Sequence, residues 1–317
     1  MIIWQLGRDF RTGSDQESEN GQQLFTTQEC LLTIDSIARL AKPIVVLTGQ
    51  GLLQRNDLVH VIEYGFALGL KMIVEAFPHE LTDEILEQYI RFGPKVFRVL
   101  LDGAIEEDMD TRFKHSRKFE VLEDTLKRLR KAGYEIHLGL TVAHPDLRQL
   151  AFEHDYALQR GARGLYCHLS FDPGTMATLQ EGGTFDRLIE DFVYRIAQMK
   201  RLSPKEMYFS PQCIKYGLQE VEERSPESPE HAIHTGRTEW KHWCLAGKSF
   251  AFIAPDGRIQ PCSSLDTDCG RLRDKNYDFR SIWLESETMQ AVRNDILACV
   301  RVRELMTSGD DAPDANH

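Results

Sequence analysis

No run of apolar residues in this 317-residue chain approaches the roughly 20 needed to cross a bilayer, which argues against a membrane-spanning helix. A basic excess is missing too. Thirty-eight Lys and Arg stand against 49 Asp and Glu, a net charge of −11 that repels phosphate backbones and anionic lipid. The densest basic run, Lys114-His115-Ser116-Arg117-Lys118, is too short for a nucleic-acid footprint and reads as a solvated loop before a helix. Neither nucleic acid nor membrane is expected as a partner. The opening Met1-Ile2-Ile3-Trp4-Gln5-Leu6 lacks a basic region, a long apolar stretch and a small-residue cleavage site. It reads as a first strand rather than an export signal, and the expected compartment is the reducing cytoplasm. Seven cysteines, an odd number, argue against a disulfide framework. Also missing are a phosphate loop, a dinucleotide fingerprint and a Ser-His-Asp order; Gly49-Gln50-Gly51 lacks the third glycine.

What is present is a regular alternation. Short β-branched runs at 2–6, 44–48, 71–75, 96–101, 135–142, 164–169 and 206–210 are separated by segments of helical period beginning near Thr26, Asp57, Thr82, Lys118, Pro145 and Asp186. Gly69, Gly93, Gly133 and Gly161 each close a helical run ahead of a strand. Six or seven such units predict an α/β fold, a partial (β/α)6-type TIM barrel over 1–216, with functional groups at the C-terminal ends of its strands. Residues 217–243, rich in Glu, Ser and Pro, read as a polar linker. A small second unit, 244–307, contains a hairpin turning at Pro255-Asp256-Gly257 and a helix from about Ser286 to Met306. The tail, 308–317, has the composition of a disordered segment.

Several pieces in order, Trp4-Gln5-Leu6, Leu47-Thr48-Gly49, Asn56-Asp57-Leu58, Gly69-Leu70 and Leu101-Asp102-Gly103, resemble radical S-adenosylmethionine enzymes. The likeness is greatest to members with a C-terminal SPASM or twitch extension. That family holds a cluster on a C-x3-C-x2-C loop after the first strand. The corresponding positions here are Phe10, Ser14 and Glu17, and no C-x2-C occurs anywhere. An iron–sulfur cluster needs soft thiolates, which none of these residues supplies. Gly49, Gln50 and Gly51 stand where the family carries Gly-Gly-Glu-Pro, and with Asp102 they read as a vestigial cofactor pocket. Ala76-Phe77-Pro78 replaces the family's Thr-Asn-Gly. The resemblance therefore implies the barrel without cleavage of S-adenosylmethionine.

Cys244, twelve residues, Gly257, four residues and Cys262 resemble the family's auxiliary-cluster motif. A hairpin at Gly257 would bring those two thiols toward one another. Cys269 and Cys299 would complete a ligand set for a [4Fe-4S] cluster, with Cys213 as another candidate and zinc as an alternative metal, for which His231, His234 and His242 are further candidates. Vestigial, buried thiols are the other reading. Cys30, inside a helix, and Cys167, inside a strand, read as core residues.

At the expected barrel mouth lie Glu75, Asp102, His144, His168 and Asp172, with Arg98 inside a strand. Glu75 ends an apolar strand and should face the cavity, whereas Asp102 before Gly suits a turn. His168 should point opposite to Cys167 and Leu169. Glu75 and His168 are thus the catalytic candidates. The first functional reading is a degenerate barrel that binds a peptide or tetrapyrrole, or assists an active radical maturase. The second is an enzyme using an auxiliary cluster for electron transfer, or Glu75 and His168 for acid–base work.

Overall fold

The computed structural model describes residues 1–7, 25–92, 97–101, 117–142, 147–169, 199, 208–211, 214–219, 239–263 and 267–294. Six apolar strands, β1 (Ile2–Gln5), β2 (Ile44–Thr48), β3 (Lys71–Ala76), β4 (Phe97–Leu100), β5 (His137–Val142) and β6 (Gly164–Leu169), pair in parallel in chain order, and β7 (Tyr208–Pro211) continues them. The crossovers are α1 (Thr27–Leu40), α2 (Leu58–Ala67), α3 (Asp83–Phe92), α4 (Arg117–Lys131) and α5 (Leu147–Gln159). Parallel neighbours need such crossovers, and the result is the expected partial barrel.

Alternation along each strand sorts the residues into two layers. Trp4 lies opposite Leu47, Leu47 opposite Val74 and Val74 opposite Phe97. These side chains, with Val99, Leu138, Leu165 and Cys167, pack against the helices in one large apolar cluster. The opposite face lines the barrel interior. There Ile3 and Val46 join Phe250, Phe252, Ala254, Cys262 and Val292 in a second, smaller cluster.

The C-terminal segment contributes to this sheet. β10 (Ala251–Ile253) pairs in parallel with β1, placing Trp4 opposite Ile253, and turns at Gly257 into the antiparallel β11 (Ile259–Gln260). Among the described residues the strand order of this sheet is β11-β10-β1-β2-β3-β4-β5-β6-β7. The predicted hairpin is present, but its first strand extends the barrel sheet, because β1 as an edge still offers a row of unpaired backbone groups. The ends of the polar linker also carry structure: β8 (Ile214–Gln219) and β9 (Glu239–Cys244) form an antiparallel ribbon. The helix expected from about Ser286 begins there as α7 (Glu287–Asn294), and a further helix, α6 (Phe279–Glu285), precedes it. Asp278 accepts hydrogen bonds from the Arg280 and Ser281 amides and so starts a helix early, while the Ser286 hydroxyl accepts from Met289 N and restarts it. Residues beyond 294 lie outside the described ones.

One end of α1 fastens this segment. Thr26 and Glu29 form a capping box, Thr26 N donating to Glu29 Oε2 at 2.7 Å, and Glu29 also accepts from Arg273 and the Tyr277 hydroxyl. One turn pair on, the Ser36 hydroxyl donates to Asp278 at 2.7 Å. Among the described residues, no helix is long and apolar enough to cross a membrane.

At the top of β1 and β2 two backbones touch: a Cβ on Gly49 would come within 2.6 Å of Gly7. Gly49 also has φ +120°, a conformation closed to other residues. Gly49→Ala is therefore expected to lower stability by about 3 kcal/mol, seen as a lower urea midpoint at unchanged slope.

Candidate functional site

A parallel barrel interior is ordinarily filled by branched aliphatic side chains. On β3 to β6 this one is filled by charge and aromatic rings. Glu75 on β3 faces inward beside Arg98 on β4, and the register sets those two residues opposite one another, with Arg98 in turn opposite His137. Arg98 Nη1 donates to Glu75 Oε1 at 2.6 Å although Arg98 is only 1% and Glu75 9% exposed. The guanidinium lies 3.9 Å from the centre of the Tyr166 ring on β6. Desolvating both charges costs several kcal/mol each, which the ion pair and the ring face offset. Among the described residues Arg98 Nε has no hydrogen-bond partner, so one buried donor of the guanidinium remains open.

Two glycines make this arrangement possible. A Cβ on Gly139 would lie 3.0 Å from Arg98 Cδ, and one on Gly164 would lie 2.5 Å from the Tyr166 ring. Their missing side chains leave a lane in which Arg98 and Tyr166 cross the sheet. His137 stacks on the same tyrosine, with ring centroids 5.8 Å apart and Nδ1 3.2 Å from its hydroxyl. Burial holds this imidazole below its ordinary pKa; a hydrogen bond to Glu135 opposes the shift, and the neighbouring Arg98 charge adds to it.

Toward the mouth, His168 sits two residues beyond Tyr166 on the same face of β6, as its alternation with the buried Cys167 predicted. Its Nε2 is 2.6 Å from the hydroxyl of Ser263, a residue that no sequence signal singled out. Its ring also stacks on Phe250 at 6.3 Å. Thus His168 engages the C-terminal segment while Glu75 engages Arg98, and no hydrogen bond described here joins the two predicted catalytic residues.

The predicted cofactor loop lies at the end of β2. Gly51 N and Phe77 N donate to the two oxygens of Glu80, each at 3.0 Å, so one carboxylate clamps the loops after β2 and β3. Gln50 is exposed. Asp102, His144, Asp172, His231 and His234 lie outside the described residues, as do Phe10, Ser14 and Glu17.

Of the metal candidates, Cys262 is buried in the inner apolar cluster and Cys269 in the outer one. Burial pushes the Cys269 thiol up to about 12. Cys244 ends β9, opposite Ile214. Cys213 and Cys299 lie outside the described residues, and His242 is opposite Tyr216 in β9. Among the described residues no three His, Cys, Asp or Glu gather as a metal site. Cys30 and Cys167 are buried in the outer cluster, where core packing accounts for both.

Two outcomes follow from the polar wall. Glu75→Ala, which strands the Arg98 charge, is expected to cost about 3–5 kcal/mol in urea unfolding, whereas Glu75→Leu with Arg98→Met should cost much less than the single change. Because His137 binds its proton less readily folded than unfolded, the unfolded chain takes up more protons around pH 6.5. Stability should then rise with pH through that region and fall below it, and His137→Gln should flatten this part of a stability–pH curve.

No family model matches the chain. Among curated proteins it is 26% identical over 273 residues to an AdoMet-dependent heme synthase of Methanosarcina barkeri, covering 85% of this chain and 76% of that one. It is 25% identical over 300 residues to an AdoMet-dependent heme synthase of Oleidesulfovibrio alaskensis, covering 92% and 76%. Among solved structures, Streptococcus suis SuiB superposes with a TM-score of 0.57 at 13% identity, covering 93% of this chain and 67% of SuiB. SuiB has also been solved bound to S-adenosylmethionine and bound to its precursor peptide SuiA. The chain thus resembles these AdoMet-dependent heme synthases over most of its length and shares the partial-barrel fold of SuiB, which supports the likeness to radical S-adenosylmethionine proteins seen in the sequence.

Proposed function

We propose that this protein has given up radical cleavage of S-adenosylmethionine and uses the polar wall of its barrel to bind a peptide or tetrapyrrole precursor, in support of an active radical maturase. The observation that carries the reading is Arg98, buried, charge-paired and stacked, whose buried Nε donor has no partner among the described residues. A carboxylate or amide oxygen suits that donor. Beside it, Ile3, Val46, Phe250 and Phe252 provide an apolar wall, so the interior is two-sided, as a flat or extended organic ligand requires. The relatives' names, heme synthase, and the peptide-bound form of SuiB are consistent with these two ligand classes.

The residues at the radical-cluster positions, Phe10, Ser14 and Glu17, do not fit the cluster, since a phenyl ring, a hydroxyl and a carboxylate cannot replace three thiolates. The described thiols, Cys262 and Cys269, sit in separate clusters and do not by themselves fit an auxiliary centre. Glu75 is engaged by Arg98, which favours a binding wall over general-base work.

The test has two arms. Protein reconstituted anaerobically with iron and sulfide, then given S-adenosylmethionine and dithionite, is expected to form no 5′-deoxyadenosine by chromatography; formation above a protein-free control would sink the non-radical reading. Iron analysis of the same sample against Cys244→Ala/Cys262→Ala checks the auxiliary site, where a loss of about four irons would establish a cluster. In the second arm, a carboxylated porphyrin and an unstructured peptide are titrated against tryptophan fluorescence. Arg98→Met should weaken whichever binds by about tenfold or more, the usual effect of deleting a hydrogen bond to a charged group.

A further inference from the structure

A buried arginine and a buried histidine share one aromatic ring in the barrel wall. The Arg98 guanidinium lies 3.9 Å from the centre of the Tyr166 ring, and the His137 ring stacks on the same tyrosine at 5.8 Å. The register sets Arg98 opposite His137 on neighbouring strands. Each nitrogen of His137 has its own partner: Nδ1 is 3.2 Å from the Tyr166 hydroxyl, and Nε2 is 3.4 Å from Glu135, whose side chain is 58% exposed. We infer that His137 makes this wall selective for an anionic ligand: a carboxylate held at Arg98 draws a proton onto His137, so that binding strengthens as the medium becomes more acid. The inference rests on the binding reading above for the Arg98 contact, and adds to it the charge of the ligand and the control of its affinity.

The coupling follows from the charges around the ring. Among the described residues, the charged and titratable groups facing this imidazole are Glu135 just ahead of β5, Arg98 on β4, and Tyr166 with the preceding Arg163 at β6, while Glu75 acts through Arg98. Burial disfavours the protonated ring, Glu135 favours it, and the Arg98 and Arg163 charges oppose it. The two ring distances put the guanidinium no more than about 10 Å from the imidazole centre, where a unit charge changes a partner's proton affinity by about tenfold in a partly screened interior. An anion on the open Arg98 Nε donor cancels much of that repulsion and adds its own attraction, whereas a neutral carbonyl oxygen leaves it in place. The imidazole fits both states. Neutral, it accepts the tyrosine hydroxyl at Nδ1 and donates from Nε2 to Glu135; charged, it donates at both nitrogens. Because Glu135 stands at the solvent end of this chain, the proton arrives along an existing contact. Ligand and proton then strengthen one another by the same factor.

The first readout is the imidazole itself. Full-length protein carrying carbon-13 histidine is titrated by NMR, the His137 signal being identified among the 11 histidines by its absence in His137→Gln. A saturating carboxylated porphyrin, or a peptide with a free C-terminal carboxylate as the other source of that chemistry, is expected to raise the midpoint by about one pH unit. The porphyrin methyl ester and the amidated peptide are the neutral counterparts and should leave it in place. In fluorescence titrations the carboxylate that binds should be about threefold or more tighter at pH 6 than at pH 8, and His137→Gln should bind it almost equally at both. Should that variant fold poorly, the pH dependence of carboxylate against neutral form in the wild-type protein decides. A midpoint unmoved by a bound carboxylate, or a neutral form with the same pH dependence, overturns the inference and leaves binding at Arg98 standing. Failure of both carboxylates to bind at either pH overturns the binding reading, and the proton coupling with it.

Discussion

The interior of this barrel is organised around a charge that has nowhere to go. Arg98 is a strand residue whose alternation with Phe97 and Val99 commits it to the inner face, since those two neighbours belong to the helix-packed layer. Once there, the guanidinium needs an anion, a polarisable face and room. Glu75 supplies the first, Tyr166 the second, and the absent side chains of Gly139 and Gly164 the third. His137 then inherits its surroundings from that set, stacked on Tyr166 and held below its ordinary pKa by burial. Four strands thus carry residues whose identities make sense only together, and replacing one by an aliphatic residue leaves the others without a reason.

Much of the scaffold was legible in the sequence because it depends on short-range rules. β-branched runs of strand length, separated by helical periods and stopped by glycine, specify parallel strands with crossovers, and the observed strands fall within a few residues of those runs. The inward direction of His168 followed from the two-residue period, and that of Glu75 from a carboxylate ending an apolar strand. Other features depend on long-range pairing, which leaves little local trace. An apolar hairpin such as 251–260 looks the same whether it stands in a separate unit or adds to β1, and only the unfilled edge of β1 decides between them. Ser263 was invisible because one serine after a strand carries no chemistry until a histidine 95 positions away meets it.

Tyr166 and His137 were passed over for a different reason. Each reads as an ordinary strand residue, and the available signal lay in their neighbours: Gly139 and Gly164 inside strands, where glycine weakens the ladder unless another group must approach closely. Glu80 is a comparable case. In sequence it is one acid before an acidic helix start, yet in space its two oxygens hold the loops after β2 and β3 at the barrel mouth.

The parallel pairing of β10 with β1 has a consequence for how the chain is made. Strand β1 leaves the ribosome long before the partner that covers its outer edge, Ala251 to Ile253, because some 245 residues separate the two. At about 5–20 residues per second, that edge waits on the order of ten seconds or more after β1 itself has emerged. During that interval the nascent barrel presents Ile2, Ile3 and Trp4 on an unpaired strand, a template that other extended chains can join. A chaperone bound during synthesis, or slow refolding with concentration-dependent losses in vitro, is the natural companion of a fold whose first strand is completed by nearly its last.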